Sequence, residues 1–215
     1  MALTRPGPAG PGSGVGPAGG GCWQLHAVLP RSRANGPGAR FTVWLQGCSL
    51  GCPGCFNPTT HPAGAEPVPV RETVAAALAE RPGIDGVTLT GGEPLQQPAA
   101  VAEFCAAIRA AGDLGIIVLT GYDRAEIEAD PARSAAVADA DLVIAGRYER
   151  RRHLGSGLRG STNKACWART GRYRPADLAA VPETEIVIGV DGEVTVTGMA
   201  AAPALRRTLA AGRPR

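Results

Sequence analysis

Apolar residues in this chain fall into short runs that alternate between strand-like and helix-like spacing. Runs rich in β-branched or aromatic residues cover 41–46, 86–90, 115–120 and 141–145, and they predict buried strands. Residues 70–80 carry apolar side chains at helical spacing, and Pro98 opens a second helix whose apolar face holds Val101, Phe104, Cys105 and Ile108. Two further runs, 185–190 and 193–197, flank Asp191-Gly192 and predict a hairpin.

This alternation of strands and helices predicts an α/β fold. A mostly parallel sheet with right-handed crossovers is the usual outcome of such a pattern. The units are too few to close an eight-stranded barrel, so we expect a partial, open (β/α) barrel.

The domain organisation follows from composition. Residues 1–21 of the 215-residue chain are almost wholly Gly, Pro, Ala and Ser, which predicts a disordered tail. Residues 22–200 form one predicted domain, and residues 201–215 are a predicted tail or short helix. Residues 147–176 are polar, and we expect a loop region there.

Charge and hydropathy exclude some classes of function. The formal net charge is only +3, and the basic loop lacks interleaved aromatic residues, so we expect no nucleic-acid partner. No apolar run approaches the ~20 residues that a membrane helix needs. Because no apolar segment follows Arg5 and three of the six cysteines are clustered, we expect a cytoplasmic protein with a metal site rather than disulfides.

Residues capable of binding a ligand follow each predicted parallel strand. They are Cys48 after the first, Gly91-Gly92-Glu93-Pro94 after the second, Gly121-Tyr122 after the third and Gly146-Arg147-Tyr148 after the fourth. Ligands of open α/β sheets bind at the carboxyl ends of the strands. The sequence therefore predicts a single site at that edge.

Three cysteines, Cys48, Cys52 and Cys55, lie on one predicted loop and are the candidate metal ligands. A structural zinc site needs four ligands, and an ordinary four-iron cluster needs four cysteines. A four-iron cluster held by three cysteines leaves one iron open to another ligand. The alternative is a Cys3His zinc site completed by His61.

The cysteine spacing, followed by Gly91-Gly92-Glu93-Pro94 after a strand, resembles the radical S-adenosylmethionine (SAM) superfamily. The resemblance implies a [4Fe-4S] cluster on Cys48, Cys52 and Cys55, with the open iron binding SAM. The reduced cluster then cleaves SAM to methionine and a 5′-deoxyadenosyl radical, and no catalytic side chain is expected beyond the two cofactors. The implied SAM contacts are Phe56 and Asn57 near the adenine, Gly91, Gly92, Glu93, Pro94, Thr120 and Arg147.

A narrower resemblance is to the small activating proteins of glycyl-radical enzymes, of the type that serves anaerobic ribonucleotide reductase. The matching segments are 35–41, 44–48, 55–59, 120–122, 145–148 and 159–163. The resemblance implies that the radical abstracts hydrogen from a glycine of a partner, the large subunit of that reductase. It also implies an electron donor such as flavodoxin or ferredoxin. Ala145 departs from the family pattern, which has a carboxylate before Gly-Arg-Tyr; Asp141 is the nearest acid.

Two other functions are compatible with the sequence. One is a radical SAM enzyme that modifies a peptide or small metabolite, and the other is a zinc or iron–sulfur interaction module without catalysis. Cys105 is expected in the core, whereas Cys22 and Cys166 have no assigned role. The basic loop from Arg147 to Arg159 is either a solvated face or a contact for SAM and an acidic partner.

Overall fold

The computed structural model describes residues 20–55, 57–189, 192 and 194–199. It contains a seven-stranded sheet, a separate two-stranded hairpin and five α-helices. The sheet strands are β1 Cys22–Ser32, β2 Arg40–Leu45, β3 Pro67–Pro69, β4 Gly86–Gly91, β5 Gly115–Leu119, β6 Leu142–Ala145 and β7 Ala165–Ala168. The hairpin is β8 Glu185–Ile188 with β9 Val194–Thr197, and the helices are α1 Val70–Ala79, α2 Pro98–Ala111, α3 Arg124–Glu128, α4 Pro131–Ala136 and α5 Pro175–Ala179.

The strand order of the large sheet is β3-β1-β2-β4-β5-β6-β7. The four central strands, β2, β4, β5 and β6, run parallel, with Thr42 opposite Thr88 and Thr88 opposite Ile117. The outer pairs are antiparallel. Among the described residues β3 and β7 do not pair with each other, so the sheet is open. The predicted α/β fold with an open, partial barrel is confirmed.

Three strands, β1, β3 and β7, were missed by the sequence analysis. β1 buries alternate residues at its start, Trp23, Leu25 and Ala27, but it follows directly on the Gly- and Pro-rich segment. β7 lies within residues 147–176, where the expectation of a loop was wrong. Its side chains are largely exposed, so hydrophobic spacing could not predict it, and its backbone pairs with β6 from Ala145 to Leu142.

The predicted boundary between the tail and the domain lies close to residue 20, where the described residues begin. Residues 1–19 and 201–215 lie outside the described residues, so the predicted tails and the 22–200 domain stay predictions. Gly21, assigned to the tail, donates its N–H to the Glu103 carboxylate over 2.7 Å, and its carbonyl accepts from Val70 N–H. Gly21 therefore contacts both α1 and α2, and the predicted boundary between residues 21 and 22 stays a prediction.

The main core lies between the sheet and its covering helices. The predicted apolar face of α2 is fully buried there, including Phe104, whose ring centroid is 5.1 Å from that of Trp23. Cys105 is buried in this core, as predicted. Burying each such side chain stabilises the fold by roughly 1.5–3 kcal/mol. A smaller cluster fills the opposite face of the sheet: Ile117, Leu119, Leu142, Ile144, Leu158 and Met199.

Arg40 closes the amino-terminal end of the parallel strands. Its guanidinium is completely buried and donates to Thr88 Oγ1 over 3.1 Å, to the Gly115 carbonyl over 3.0 Å, to the Val87 carbonyl and to the Tyr173 hydroxyl. Burial lowers the pKa of this guanidinium. Arg40 belongs to the segment 35–41, which matches the family pattern. Its role is structural, because it links neighbouring strands at the end of the sheet that is remote from the cysteines.

Candidate metal and cofactor site

A cavity of about 740 Å³ opens at the carboxyl ends of the parallel strands. Its lining includes all three predicted metal ligands, Cys48, Cys52 and Cys55, together with Gly91, Gly92, Glu93 and Thr120. Small-molecule sites commonly have this size and position. The structure therefore brings together the residues that follow β2, β4 and β5, as the sequence analysis expected.

The cysteine loop is closed at its base by backbone hydrogen bonds. Gly47 N–H donates to the Thr60 carbonyl over 2.8 Å, and Cys48 N–H donates to the His61 carbonyl over 3.0 Å. Within the loop, Cys55 N–H donates to the Cys52 carbonyl over 3.1 Å. These bonds hold the three cysteines on one short, turned segment above β2.

The three thiols are partly buried. Burial raises the pKa of Cys48 and of Cys55, so both are protonated thiols at neutral pH when no metal is present. Metals bind the thiolate, and binding therefore releases these protons. The backbone N–H of Asn57 lies 3.4 Å from Cys55 Sγ and donates to it. Hydrogen bonds of this kind help to set the potential of an iron–sulfur cluster.

The arrangement of the thiols bears on the zinc alternative. Among the described residues no three His, Cys, Asp or Glu side chains converge closely enough to hold one metal ion. A tetrahedral zinc site needs all of its ligands around one ion. In a four-iron cluster each cysteine would bind a different iron, and all three cysteines line the same cavity. His61 also lines the cavity, but its backbone carbonyl is what the cysteine loop uses.

The glycines after β4 allow two segments of backbone to meet. Gly91 has φ of 105°, which favours glycine, and a Cβ at this position would lie 2.5 Å from the backbone nitrogen of Leu45. A Cβ on Gly92 would overlap the carbonyl oxygen of Gly47. In return, Gly92 N–H donates to the Leu45 carbonyl and Glu93 N–H to the Gly47 carbonyl. The two glycines therefore dock this turn against the start of the cysteine loop.

Glu93 is buried and joins two neighbouring strand ends. Its Oε1 accepts from Thr120 Oγ1 over 2.6 Å and from Leu95 N–H over 2.9 Å, while Oε2 accepts from Gly121 N–H over 2.7 Å. Burial raises the pKa of this carboxyl, and the three hydrogen bonds oppose the shift. Oε2 has one protein donor and so keeps acceptor capacity for a ligand.

The remaining residues expected to contact SAM do not all line the cavity. Thr120 and Asn57 line the cavity, whereas Phe56 lies outside the described residues. Pro94 is buried and does not contribute to the lining. Whether any of these residues touches SAM stays a prediction.

Arg147 does not line the cavity, although it follows β6 as expected. Its guanidinium forms a bidentate pair with Glu126, at 2.6 and 2.9 Å, and also donates to the Gly121 carbonyl. It lies 5.1 Å from the ring centroid of Tyr122. The predicted contact between Arg147 and SAM stays untested, but this guanidinium already has protein partners.

Asp141 cannot replace the acid that the family pattern has in place of Ala145. Asp141 directly precedes β6 and Ala145 is its last residue, so the two lie about 13 Å apart at ~3.3 Å per residue. The Asp141 carboxylate accepts from Arg109 at 2.8 Å, Ile116 N–H at 2.8 Å and Thr170 Oγ1 at 2.9 Å. Asp141 is therefore a structural link at the amino-terminal end of the strands.

Several residues of the site were missed by the sequence analysis. Gln96 accepts from Ser49 N–H over 3.1 Å and donates to Ser49 Oγ over 2.6 Å. These two hydrogen bonds attach the cysteine loop to the turn that follows β4. Gln97 donates to the Gln46 carbonyl at the end of β2. Their position directly after Gly-Gly-Glu-Pro-Leu is the one sequence feature that could have indicated this role.

Lys164 was also missed, and it lines the cavity from the start of β7. Burial lowers the pKa of its ammonium, while the Glu93 carboxylate and the thiols of Cys52 and Cys55 oppose that shift. Of the other cysteines, Cys22 and Cys166 are exposed. The thiol of Cys166 interacts with Arg159, which also lines the cavity.

The helices of the described residues are all too short or too polar to cross a membrane. This finding agrees with the absence of a long apolar run in the sequence.

Comparison with known proteins identifies the kind of cluster. A family model for a 4Fe-4S single cluster domain matches residues 34–167. The chain is 30% identical to the anaerobic ribonucleoside-triphosphate reductase-activating protein of Enterobacteria phage T4 over 148 residues, 66% of this chain and 92% of that protein. It is 31% identical to the protein of the same name from Pasteurella multocida over 128 residues, 56% of this chain and 80% of that protein.

A second group of relatives matches over a shorter length. The chain is 38% identical to the pyruvate formate-lyase-activating enzyme of Clostridium pasteurianum over 80 residues, which is 35% of this chain and 34% of that enzyme. The cofactors that these relatives imply, a [4Fe-4S] cluster and SAM, suit a cavity that presents three cysteines and a glycine-rich turn. The chain therefore belongs to the 4Fe-4S single cluster family and, within it, to the radical SAM activating proteins of glycyl-radical enzymes.

Proposed function

We propose that this protein generates the glycyl radical of an anaerobic ribonucleotide reductase. The observation that carries the proposal is the extent of the match with the phage T4 activating protein, of which 92% is aligned. The match with the pyruvate formate-lyase-activating enzyme covers only 34% of that enzyme. A partner of the reductase type is therefore favoured over one of the pyruvate formate-lyase type.

The residues of the cavity are given the following roles in this proposal. Cys48, Cys52 and Cys55 bind three irons and leave the fourth for SAM. By the family resemblance Asn57 and Phe56 would contact the adenine, and the turn of Gly91, Gly92 and Glu93 would contact the methionine part of SAM. When bound, the reduced cluster supplies the electron that cleaves SAM to methionine and a 5′-deoxyadenosyl radical, which takes a hydrogen atom from the partner's glycine.

Glu93 and Thr120 act mainly by holding the site in place. Their 2.6 Å hydrogen bond fixes the end of β4 to the end of β5, at the edge of the sheet where the cavity opens. Pro94 supports the same turn from the buried side, and Arg147 holds Gly121 through its carbonyl. A cavity held at fixed geometry excludes water and orients the reacting atoms.

The rim of the cavity supports a protein as the radical's target. The β8–β9 hairpin contributes Val196 and Thr197 to the lining, and it also exposes three apolar residues. Ile186 is 47% exposed, Ile188 is 70% exposed and Val194 is 41% exposed. Exposed apolar patches beside a site are typical of protein interfaces. We assign this hairpin as a contact for the partner whose glycine loop enters the cavity.

The electron donor and the compartment complete the proposal. Reduction of the cluster requires a low-potential carrier such as flavodoxin or ferredoxin. A cytoplasmic location suits a protein whose described cysteines are all thiols, because that compartment keeps thiols reduced. Nucleic acid and membranes are not expected as partners.

The test is anaerobic incubation of the cluster-loaded protein with SAM, dithionite and the large subunit of an anaerobic ribonucleotide reductase from the same source. We expect a glycyl radical doublet by electron paramagnetic resonance and one methionine for each 5′-deoxyadenosine formed. Cys52→Ala, which removes one iron ligand, serves as the negative control. Formation of 5′-deoxyadenosine without a glycyl doublet would contradict the proposed partner and favour a tailoring enzyme.

A further inference from the structure

The chain contains a single lysine. Of its 22 basic residues 21 are arginine, and the exception is Lys164. That residue directly precedes β7, where its backbone N–H donates to the Ser161 carbonyl over 3.2 Å. Its side chain faces the cavity that holds the three candidate cluster ligands. The one compact ammonium group of the sequence is thus placed beside the metal site.

The charges around Lys164 are those of the site itself. The groups that interact with its ammonium are the Glu93 carboxylate and the thiols of Cys52, Cys55 and Cys166. Among the described residues no hydrogen bond or ion pair engages this ammonium. It is therefore a partly buried cation that faces the space between the cysteines and Glu93.

Each arginine near the cavity has another contact. Arg147 is paired with Glu126 at 2.6 Å. Arg159 interacts with the Cys166 thiol, and Arg150 packs its aliphatic stem over Gly54 at the rim. Lysine differs from arginine in presenting a compact point charge on a flexible stem, which suits a narrow position next to a cluster.

A charge at this place acts on the electron that the cluster receives. A [4Fe-4S] cluster on three thiolates becomes more negative by one charge when it is reduced, and a nearby cation favours that reduced state. The effect is strong in a partly buried site, where the effective dielectric constant is low. Charge and hydrogen bonding near the sulfurs are established determinants of cluster potential.

We propose that Lys164 is a positioning residue for the cluster, whose ammonium raises the reduction potential by stabilising the reduced form. The external donor would supply the one electron that takes the cluster from its 2+ to its 1+ state, and no proton is transferred in this step. The inference rests on the cluster but not on the identity of the radical's target. A missing glycyl radical would therefore leave it intact.

The test is a redox titration of the reconstituted protein, followed by electron paramagnetic resonance of the reduced cluster. Lys164→Met removes the charge and keeps the side-chain length, whereas Lys164→Arg keeps the charge. In Lys164→Met we expect the ratio of reduced to oxidised cluster at a fixed potential to fall about tenfold, which is ~59 mV for a one-electron couple. Lys164→Arg should remain within about threefold of the wild type.

Arg151→Met is the matched control, because Arg151 is exposed in the same loop region and does not line the cavity. Solvent and salt screen a charge in that position, so its removal should leave the potential unchanged. An unchanged potential in Lys164→Met with full iron content would overturn the proposal. So would an equal shift in Arg151→Met.

A second measurement needs no variant and covers the case in which Lys164→Met does not retain its cluster. Lys164 carries the only side-chain amine, so acylation by an amine reagent can be followed by peptide mass spectrometry, with the α-amine as internal reference. Cluster assembly should slow acylation of Lys164 at least tenfold relative to the apo protein. Equal reactivity with and without the cluster would show that the ammonium is remote from it, and the proposal would fail.

Discussion

The Glu93 carboxylate accepts a hydrogen bond from the Thr120 hydroxyl, with 2.6 Å between Oε1 and Oγ1. This bond joins the residue that ends the glycine-rich turn to the residue that follows β5. Both residues are buried, so the bond is shielded from water. It ties together two of the loops that line the cavity.

Removing the Glu93 carboxylate should loosen both loops. In Glu93→Ala two buried donors and the partly buried Gly121 N–H lose their acceptor, each at a cost of up to about 1–3 kcal/mol. We expect at least a tenfold loss of SAM affinity, measured by equilibrium binding to the cluster-loaded protein. Thr120→Val removes one of the three donors and should cost less, about fivefold. Wild-type affinity in Glu93→Ala would contradict the supporting role of this carboxylate.

The cysteines should separate into two groups by iron content. Alanine at Cys48, Cys52 or Cys55 should abolish the iron–sulfur absorbance after anaerobic reconstitution, because a cluster with two protein ligands is not retained. Alanine at the exposed residues Cys22 and Cys166 should leave about four irons per chain. Loss of the cluster in Cys166→Ala would show that a fourth cysteine takes part, contrary to the assignment.

Arg40 should be important for stability and not for the cofactor. Arg40→Ala leaves the Val87 and Gly115 carbonyls without their buried donor, and we expect a loss of about 2–5 kcal/mol in the free energy of unfolding. Urea denaturation of the cluster-loaded protein measures it. Arg71→Ala on the exposed side of α1 is the control and should stay within about 0.5 kcal/mol of the wild type. A neutral Arg40→Ala would mean that the carbonyls find other donors.

The lowered pKa of Asp141 predicts how the stability of the fold changes in acid. Burial would raise its pKa, but hydrogen bonds from Arg109, Ile116 N–H and Thr170 outweigh that effect, and the pKa lies below its ordinary value. The carboxylate therefore stabilises the fold above the unfolded-state pKa of about 3.9, and this contribution is lost as the pH falls through the lower folded-state pKa.

The corresponding measurement is the melting temperature of the apo protein between pH 7 and pH 2.5. The wild type should lose stability over the acid part of this range. Asp141→Asn should be less stable at pH 7 and should show a flatter profile. Parallel profiles for the two proteins would show that Asp141 contributes little to the acid sensitivity.

The parallel centre of the fold could be predicted because both of its determinants are local. The runs before Cys48, Gly91 and Thr120 are apolar and β-branched, and glycine or a polar residue ends each of them. The edge strands could not be predicted, because β7 has exposed side chains and exists through its backbone pairing with β6. Pairing partners distant in sequence leave no periodic pattern.

The same distinction applies to the site. The cysteines and Gly91-Gly92-Glu93 form compact motifs that are recognisable without a structure. Gln96 contacts Ser49, which lies 47 residues away in the sequence, and Lys164 reaches the cavity from the far edge of the sheet. Only the folded chain brings these two residues to the site. The pairing of Arg147 with Glu126, 21 residues away, likewise depends on the fold, and the contact of Arg147 with SAM stays a prediction.

The hydrogen bonds at the base of the cysteine loop bear on how the protein gains and loses its cluster. Because Gly47 and Cys48 are anchored to Thr60 and His61 through the backbone alone, the loop keeps its two ends together whether or not iron is present. The chain is then expected to fold first and to receive its iron and sulfide afterwards. The far-ultraviolet circular dichroism spectrum of the apo form should therefore equal that of the cluster-loaded protein. Oxygen that destroys the cluster would leave behind a folded, empty acceptor, ready to be repaired by the assembly machinery of the cell.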